Sequence, residues 1–159
     1  MGYETTTKLW VMSTIPNTLR VTFLPFEDMD MPENEWSKPS YFIDFFREKI
    51  GADMYKFCGK IKELEEKHCR EYLIRLKEAR DILSECGYNG ESCCIKENAP
   101  HFNKILEQFE NILIMDDWDR KYISVYDIHR QYKFFQWLVN KMDKFKEDGI
   151  EFFVTMEIT

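Results

Sequence analysis

Alternating apolar and polar positions predict β-strands near both ends of the sequence. Residues 8–15 and 18–24 alternate in this way, and Pro16-Asn17 between them suits the centre of a tight turn. A third alternating segment covers residues 150–158. Each segment has an apolar face that must be buried, and an isolated hairpin is only marginally stable in water. We therefore expect the N-terminal hairpin and the C-terminal strand to join in one small antiparallel sheet.

Between these strands the apolar residues are spaced by three and four, which is the helical period. A short helix is predicted over residues 41–51, and a long amphipathic helix over residues 53–86. At a rise of about 1.5 Å per residue the long helix would extend about 50 Å, so we expect a kink or a protruding end. Its apolar stripe comprises Met54, Cys58, Ile61, Tyr72, Leu76, Ala79, Leu83 and Cys86.

Two more helices are predicted in the second half of the sequence. One covers residues 102–112, and the other follows Ser124, which forms a capping box with Asp127, and ends at Gly149. The length of 159 residues suits one globular domain, residues 1–159. The predicted fold class is α+β, with the small antiparallel sheet packed against about four helices, one of them long.

Composition and charge restrict the class of protein. Only three alanines stand against fourteen isoleucines and thirteen phenylalanines, so the core must be built from large side chains. The net charge of −7 repels nucleic-acid phosphates at long range and disfavours direct nucleic-acid binding. No secretory signal and no apolar run of about 20 residues is found, so we expect a cytoplasmic protein that does not contact membranes. Five cysteines is an odd number, which fits reduced thiols in that compartment.

A segment rich in cysteine raises the possibility of a zinc site. Cys86, Cys93, Cys94 and His101 carry the ligands that zinc prefers. Structural zinc sites use pairs of ligands separated by two to four residues, however, and the side chains of adjacent cysteines project in different directions. We therefore interpret Cys86 as a small residue at the end of a helix and the other two as loop thiols. We expect no metal and no cofactor.

Glu65 and His68 lie on the apolar stripe of the predicted long helix. The Glu-x-x-His spacing places both side chains on one face, as in di-iron carboxylate bundles. Such bundles need a second pair of this kind, and the sequence has none. A helix that leaves the core here, or a buried and satisfied histidine, explains the pattern better than a metal centre.

The signatures of common enzymes are absent from the sequence. It has no phosphate-binding glycine loop, no dinucleotide fingerprint and no nucleophile elbow. By elimination, we predict a non-catalytic protein-binding module such as an inhibitor, immunity protein or adaptor. Residue usage rich in Ile, Lys, Glu and Asn is consistent with origin in a phage or another mobile element. The alternatives are a metal-dependent enzyme using Glu65 and His68 or the segment from Cys86 to His101, and an acidic modulator of nucleic-acid machinery.

Two acidic segments that contain a tryptophan are the predicted binding residues. Acidic side chains would speed association with a basic partner protein, and a tryptophan could fill a pocket on it. For the first segment, a plain connector between sheet and helices is the competing interpretation. The residues are Asp28, Asp30, Glu33, Glu35 and Trp36 in the first segment and Asp116, Asp117, Trp118 and Asp119 in the second.

Overall fold

The computed structural model describes most of the helical part of the chain and portions of the N-terminal part. Backbone is described for residues 6–13, 22–23, 36–37, 40–50, 60–90 and 94–158, and side chains for residues 44–49, 64–90 and 94–154.

Within these ranges the fold is α+β, as the sequence predicted. The helices are α1 (Ser40–Ile50), α2 (Glu66–Glu85), α3 (Phe102–Ile112) and α4 (Val125–Glu147). The strands are β1 (Thr6–Ser13), β2 (Thr22–Phe23), β3 (Trp36–Ser37), β4 (Lys60–Leu64), β5 (Ile95–Lys96), β6 (Tyr122–Ile123) and β7 (Phe152–Ile158).

The main sheet confirms the predicted pairing of the N-terminal hairpin with the C-terminal strand. β1 is antiparallel to β2, with Val11 opposite Phe23, and antiparallel to β7, with Val11 opposite Val154. β3 pairs with the same edge of β1 as β2 does, but at the opposite end of the strand, where Thr7 lies opposite Trp36. The order β2-β1-β7-β4 places β7 between two neighbours. The predicted turn at residues 16–17 lies outside the described residues.

The prediction of one helix over residues 53–86 is wrong. Residues 60–64 form β4, which pairs antiparallel with β7 and places Leu64 opposite Val154. Glu65 has extended backbone angles, φ −77° and ψ 135°, and α2 begins at the next residue. Ile61 therefore belongs to a strand. A short segment of this kind fits both the helical and the strand period, and its pairing with the edge of β7 favours the strand.

Because α2 begins at Glu66 and its buried stripe begins at Cys69, the polar residues Glu65 and His68 no longer interrupt that stripe. Its buried side chains are Cys69, Tyr72, Leu76, Ala79 and Leu83, a continuous spacing of three and four. α2 packs mainly against α4, and also against α3 and α1. These contacts bury one face of α2 and leave the opposite face in solvent.

α4 begins with the predicted cap. The Ser124 hydroxyl oxygen accepts a hydrogen bond from the backbone N–H of Asp127 at 3.1 Å. Gly149, at φ +70°, follows the end of the helix in the left-handed conformation that glycine tolerates. The buried positions of α4 are more numerous than the predicted stripe, because this helix packs against α2 and also contacts β1.

The core is built from large aromatic side chains, as the scarcity of alanine predicted. Phe45 and Phe46 of α1 contact Tyr72 of α2, with ring centroids 5.0 and 5.8 Å apart. Phe135 of α4 meets the Tyr72 ring edge-on at 4.7 Å. Phe145 and Phe152 stack at 5.5 Å and connect the helices to β7. Such aromatic pairs add about 0.5–1.5 kcal/mol each beyond the burial of their surface.

A second, two-stranded sheet was not predicted. β5 and β6 are antiparallel, with Ile95 opposite Ile123, and both of these side chains are buried. The pairing fixes the segment that follows Cys94 against the segment that precedes α4. Among the described helices, none is long and apolar enough to cross a membrane.

Candidate functional site

The turn between α3 and β6 carries the most exposed tryptophan of the described side chains. Buried Leu113 and Met115 anchor the chain after α3. The Asp116 carboxylate then accepts a hydrogen bond from the backbone N–H of Asp119 at 2.9 Å, and its carbonyl accepts one from Arg120 at 3.1 Å. A single 3₁₀ turn over Asp119–Lys121 leads into β6. The turn is therefore held at both ends and by its own hydrogen bonds.

Trp118 projects from this turn into solvent, with 63% of its surface exposed. Its ring contacts Tyr122 edge-on, with the centroids 5.4 Å apart. The indole is thus supported on one side and open on the other. Asp116 and Asp117 next to it are exposed as well. We call these four residues, Asp116, Asp117, Trp118 and Tyr122, the Trp118 surface.

Asp119 does not belong to the exposed surface. Although the sequence predicts it as a binding residue, it is only 4% exposed. Its role is to hold the turn through its backbone N–H. The sequence also missed Tyr122, four residues after Trp118, which becomes a neighbour only because the 3₁₀ turn brings the two rings together.

Negative charge collects around the Trp118 surface. Burial raises the pKa of Tyr122; a hydrogen bond with Trp118 opposes this, and the charges of Asp119, Asp127 and Asp116 add to it. Burial also raises the pKa of Asp44 on α1, opposed by Arg47, and Asp116 raises it further. Carboxylates from separate parts of the sequence therefore act on one region.

Positive side chains lie at the edge of this region. Arg120 is 3.7 Å from the Glu110 carboxylate, and Arg47 is 3.3 Å from Asp44. Burial raises the pKa of Asp127, and Arg130 partly opposes this. Each of these bases lies near a carboxylate of its own and neutralises part of the negative charge in this region.

The first acidic segment is mostly outside the described residues. This applies to Asp28, Asp30, Glu33 and Glu35. The backbone of Trp36 is described, and it lies in β3 rather than in the loop that the sequence predicted. Trp36 therefore stands at the edge of the main sheet, opposite Thr7 of β1.

The Glu65 and His68 pair does not form a site on one helical face. Glu65 precedes α2, is exposed, and forms an ion pair with Lys67 at 3.0 Å. His68 is half-buried in the first turn of α2. No group of three or more histidine, cysteine or acidic side chains within the described ranges is placed to hold a metal ion.

The cysteine segment is divided between different environments. Cys86 is half-buried at the end of α2, Cys94 is exposed before β5, and both are free thiols. Cys93 lies outside the described residues. The exposed His101 contacts the ring of Tyr88 edge-on, with the centroids 6.5 Å apart.

Two concave features lie elsewhere on the domain. A pocket of about 590 Å³ lies between the end of α4 and the strands β4 and β7. Two of its charged residues, Glu66 and Lys146, pair with each other at 2.6 Å. A smaller pocket of about 180 Å³ lies between α2 and the start of α4, and its lining includes Arg80 and His129. Neither pocket could be predicted from the sequence, since each combines residues from distant segments.

Comparison with known protein families, with curated proteins and with solved structures finds no match for this chain.

Proposed function

We propose that this chain is a non-catalytic protein-binding module and that the Trp118 surface contacts its partner. The observation that supports this most directly is the exposed indole of Trp118 on a fixed turn. Tryptophan is enriched among the residues that dominate binding energy, because it contributes a large rigid surface. A turn that is already ordered loses little conformational entropy on association.

The charge around Trp118 favours a partner with a basic surface. Asp116 and Asp117 directly precede Trp118 and are exposed, so we expect their carboxylates to lie at the rim of the contact when the indole is covered. Rim charges mainly raise the association rate and make binding sensitive to salt. The desolvated centre of such a contact, here the indole, mainly slows dissociation.

The acidic segment around Trp36 is proposed as a second contact with the same kind of partner. Asp28, Asp30, Glu33 and Glu35 combine with Trp36 in the pattern seen around Trp118. The backbone of Trp36 pairs with β1 at one side of the main sheet, which supports this proposal. The two contacts are separable by mutation.

The first experiment captures the partner from a lysate of the native host with the wild-type chain and with variants. Asp117→Lys combined with Trp118→Ala should abolish capture of the partner that binds wild type, and raised salt should weaken the wild-type complex. Asp116 is left unchanged because its carboxylate holds the turn. Ile74→Ala is the matched control, since it removes another exposed apolar side chain, 58% exposed, on α2.

The result that contradicts the proposal is equal capture by the double variant and the wild type, with unchanged circular dichroism in both. A parallel variant, Trp36→Ala with charge reversal at Asp28, Asp30 and Glu33, tests the second contact. If only this variant loses the partner, the binding surface is the first acidic segment. If it binds normally, that segment is a connector.

A further inference from the structure

The smaller pocket lies where the second half of α2 faces the start of α4. The turn after α2 closes it on a third side. Its lining combines polar and apolar groups from these three elements: Arg80, Leu83, Ser84, Tyr88, Asn89, Gly90, Val125 and His129. Its volume of about 180 Å³ is below the range of roughly 300–1,000 Å³ that suits drug-sized ligands, so it fits a small molecule or ion.

One wall of the pocket is formed by an unusually close contact between Gly90 and His129. A Cβ atom on Gly90 would lie 2.4 Å from Cγ and Cδ2 of the imidazole, a distance that real Cβ atoms do not adopt. Only glycine allows the backbone to approach the ring this closely. The turn therefore fixes one side of the imidazole, while His129 still lines the pocket.

One lining residue of the pocket, Arg80, carries a positive charge, although the whole chain is acidic. The guanidinium carbon of Arg80 lies 4.1 Å from the centroid of the Tyr132 ring, which orients the side chain. No ion pair joins Arg80 to an acidic side chain within the described ranges. Burial lowers the pKa of His129, and the positive charges of Arg80 and Lys133 lower it further.

We propose that this pocket binds a small tetrahedral oxyanion, the phosphoryl group of a small molecule or free phosphate, through Arg80 and His129. The fork of an arginine matches the geometry of phosphoryl oxygens. The hydroxyl group of Ser84 adds a donor, and Leu83 and Val125 provide an apolar wall for a small organic substituent.

This site is distinct from the Trp118 surface and goes beyond the proposed function. On α4, two residues correspond to a rotation of about 200°, so Asp127 and His129 point to opposite sides of the helix. Asp127 acts on Tyr122, next to Trp118, whereas His129 lines the pocket. We therefore expect variants in one site to leave the other intact.

The protonation of His129 gives the binding a pH dependence. Its charged and titratable neighbours are Arg80 of α2, Lys133 of α4 and Tyr88 of the turn. Sulfate keeps the same charge near neutral pH, so a change in its affinity reports on the protein. Protonation of His129 adds a donor and a positive charge, so sulfate affinity should rise as the pH falls through the pKa of His129.

The experiment is an NMR titration of the full chain with sodium sulfate at constant ionic strength maintained with sodium chloride. Saturable shifts are expected for the amide of Gly90 and the ring of His129. Arg80→Met should weaken sulfate binding about tenfold or more, because hydrogen bonds between charged groups are the stronger ones. Lys104→Met is the matched control: it removes the same charge from an exposed position on α3 and should leave the affinity unchanged.

Absence of saturation, or equal weakening by both substitutions, overturns the proposal, because nonspecific screening explains those results. If Arg80→Met does not fold, His129→Gln replaces it: this variant should remove the pH dependence between about pH 5 and about pH 8. A pH dependence that persists in it also overturns the proposal.

The affinities of inorganic phosphate and methyl phosphate, measured in the same titration, then distinguish free phosphate from a phosphorylated small molecule. Tighter binding of methyl phosphate supports a phosphorylated small molecule that uses the wall of Leu83 and Val125. Equal binding of both supports free phosphate.

Discussion

The hydroxyl of Tyr72 on α2 donates a hydrogen bond to the side-chain carbonyl oxygen of Gln131 on α4, inside the aromatic core. Both residues are buried, Tyr72 at 0% and Gln131 at 2% exposure. A polar pair in this position fixes how the two helices are aligned, since sliding either helix would break a buried hydrogen bond.

Substitution of Tyr72 by phenylalanine tests the energy of this hydrogen bond. Tyr72→Phe keeps the ring and its contacts with Phe45 and Phe135, but it leaves the buried Gln131 without the hydroxyl. We expect the free energy of unfolding to fall by about 1–3 kcal/mol. Urea denaturation of wild type and variant measures the difference.

A double substitution serves as the control for Tyr72→Phe. Adding Gln131→Leu removes both polar groups, so the double variant should recover part of the stability that Tyr72→Phe loses. If Tyr72→Phe and the double variant are both as stable as wild type, the hydrogen bond does not stabilise the helix pair.

Removal of residues 150–159 should unfold the domain. β7 pairs with both β1 and β4, so its loss leaves two strands without their shared neighbour and uncovers the core around Val154. Thermal melting followed by circular dichroism is the measurement. A truncated chain with the melting temperature of wild type would show that the sheet contributes nothing to stability.

A network of ion pairs between α2 and α4 predicts loss of stability in acid. The Glu66 carboxylate is 2.6 Å from both Arg70 and Lys146, and Arg70 also reaches Asp143 at 2.5 Å. Burial alone would raise the pKa of Glu66, but the hydrogen bonds from Lys146 and Arg70 outweigh it, so the pKa is lowered.

A folded-state pKa below the unfolded value means that Glu66 stabilises the protein above the unfolded pKa, about 4.3 for glutamate. That contribution disappears as the pH falls through the folded value. Glu66→Gln should lower stability at pH 7 by up to about 1 kcal/mol and by much less in acid. Urea denaturation from pH 7 downward tests this, with the exposed Glu78→Gln on the same helix as control. An equal effect of Glu66→Gln at every pH contradicts the prediction.

The cysteines should differ sharply in reactivity. Burial raises the pKa of the Cys69 thiol to about 12, and its side chain is 0% exposed. Cys94 is exposed. In the native protein an alkylating reagent should modify Cys94 and leave Cys69 untouched until the chain is denatured. Mass spectrometry after timed labelling checks this, and rapid native labelling of Cys69 would show that α2 opens readily.

We also predict that the protein carries no stoichiometric metal. Elemental analysis of protein purified without chelator or affinity tag provides the measurement. One zinc per chain, lost on replacing Cys93 and Cys94 with serine, would instead make the cysteine segment a structural clip.

The sequence predicted those parts of the fold that repeat a local pattern. The stripes of α3 and α4, the Ser124 cap and the alternation that predicts β7 are visible in consecutive residues, and the two helices, the cap and the strand are all present. β4 was missed because five residues of mixed polarity carry no clear period, and their state depends on the free edge of β7. The two-residue strands β5 and β6 are too short for any periodicity.

The candidate sites, like the fold, were predictable where local sequence carries the signal and not where tertiary contacts decide. Acidic residues around a tryptophan drew attention to the turn at 116–119, yet the sequence did not distinguish exposed Trp118 from buried Asp119 beside it. That difference depends on what packs against the turn from other segments. The pocket joins residues near 80–90 with residues near 125–129, and only the tertiary contact between Gly90 and His129 reveals it.

The pairing of β1 with β7 has a consequence for how the chain folds during synthesis. The two strands are separated by more than a hundred residues, whereas α2, α3 and α4 follow one another in the sequence with much smaller separations. During synthesis on the ribosome the helices can assemble first. β1 cannot pair with β7 until residues 152–158 have emerged. Strand pairing over such a separation is slow, and unpaired strands attract other chains. Nascent chains halted before residue 152 should therefore be the species that chaperones and proteases recognise.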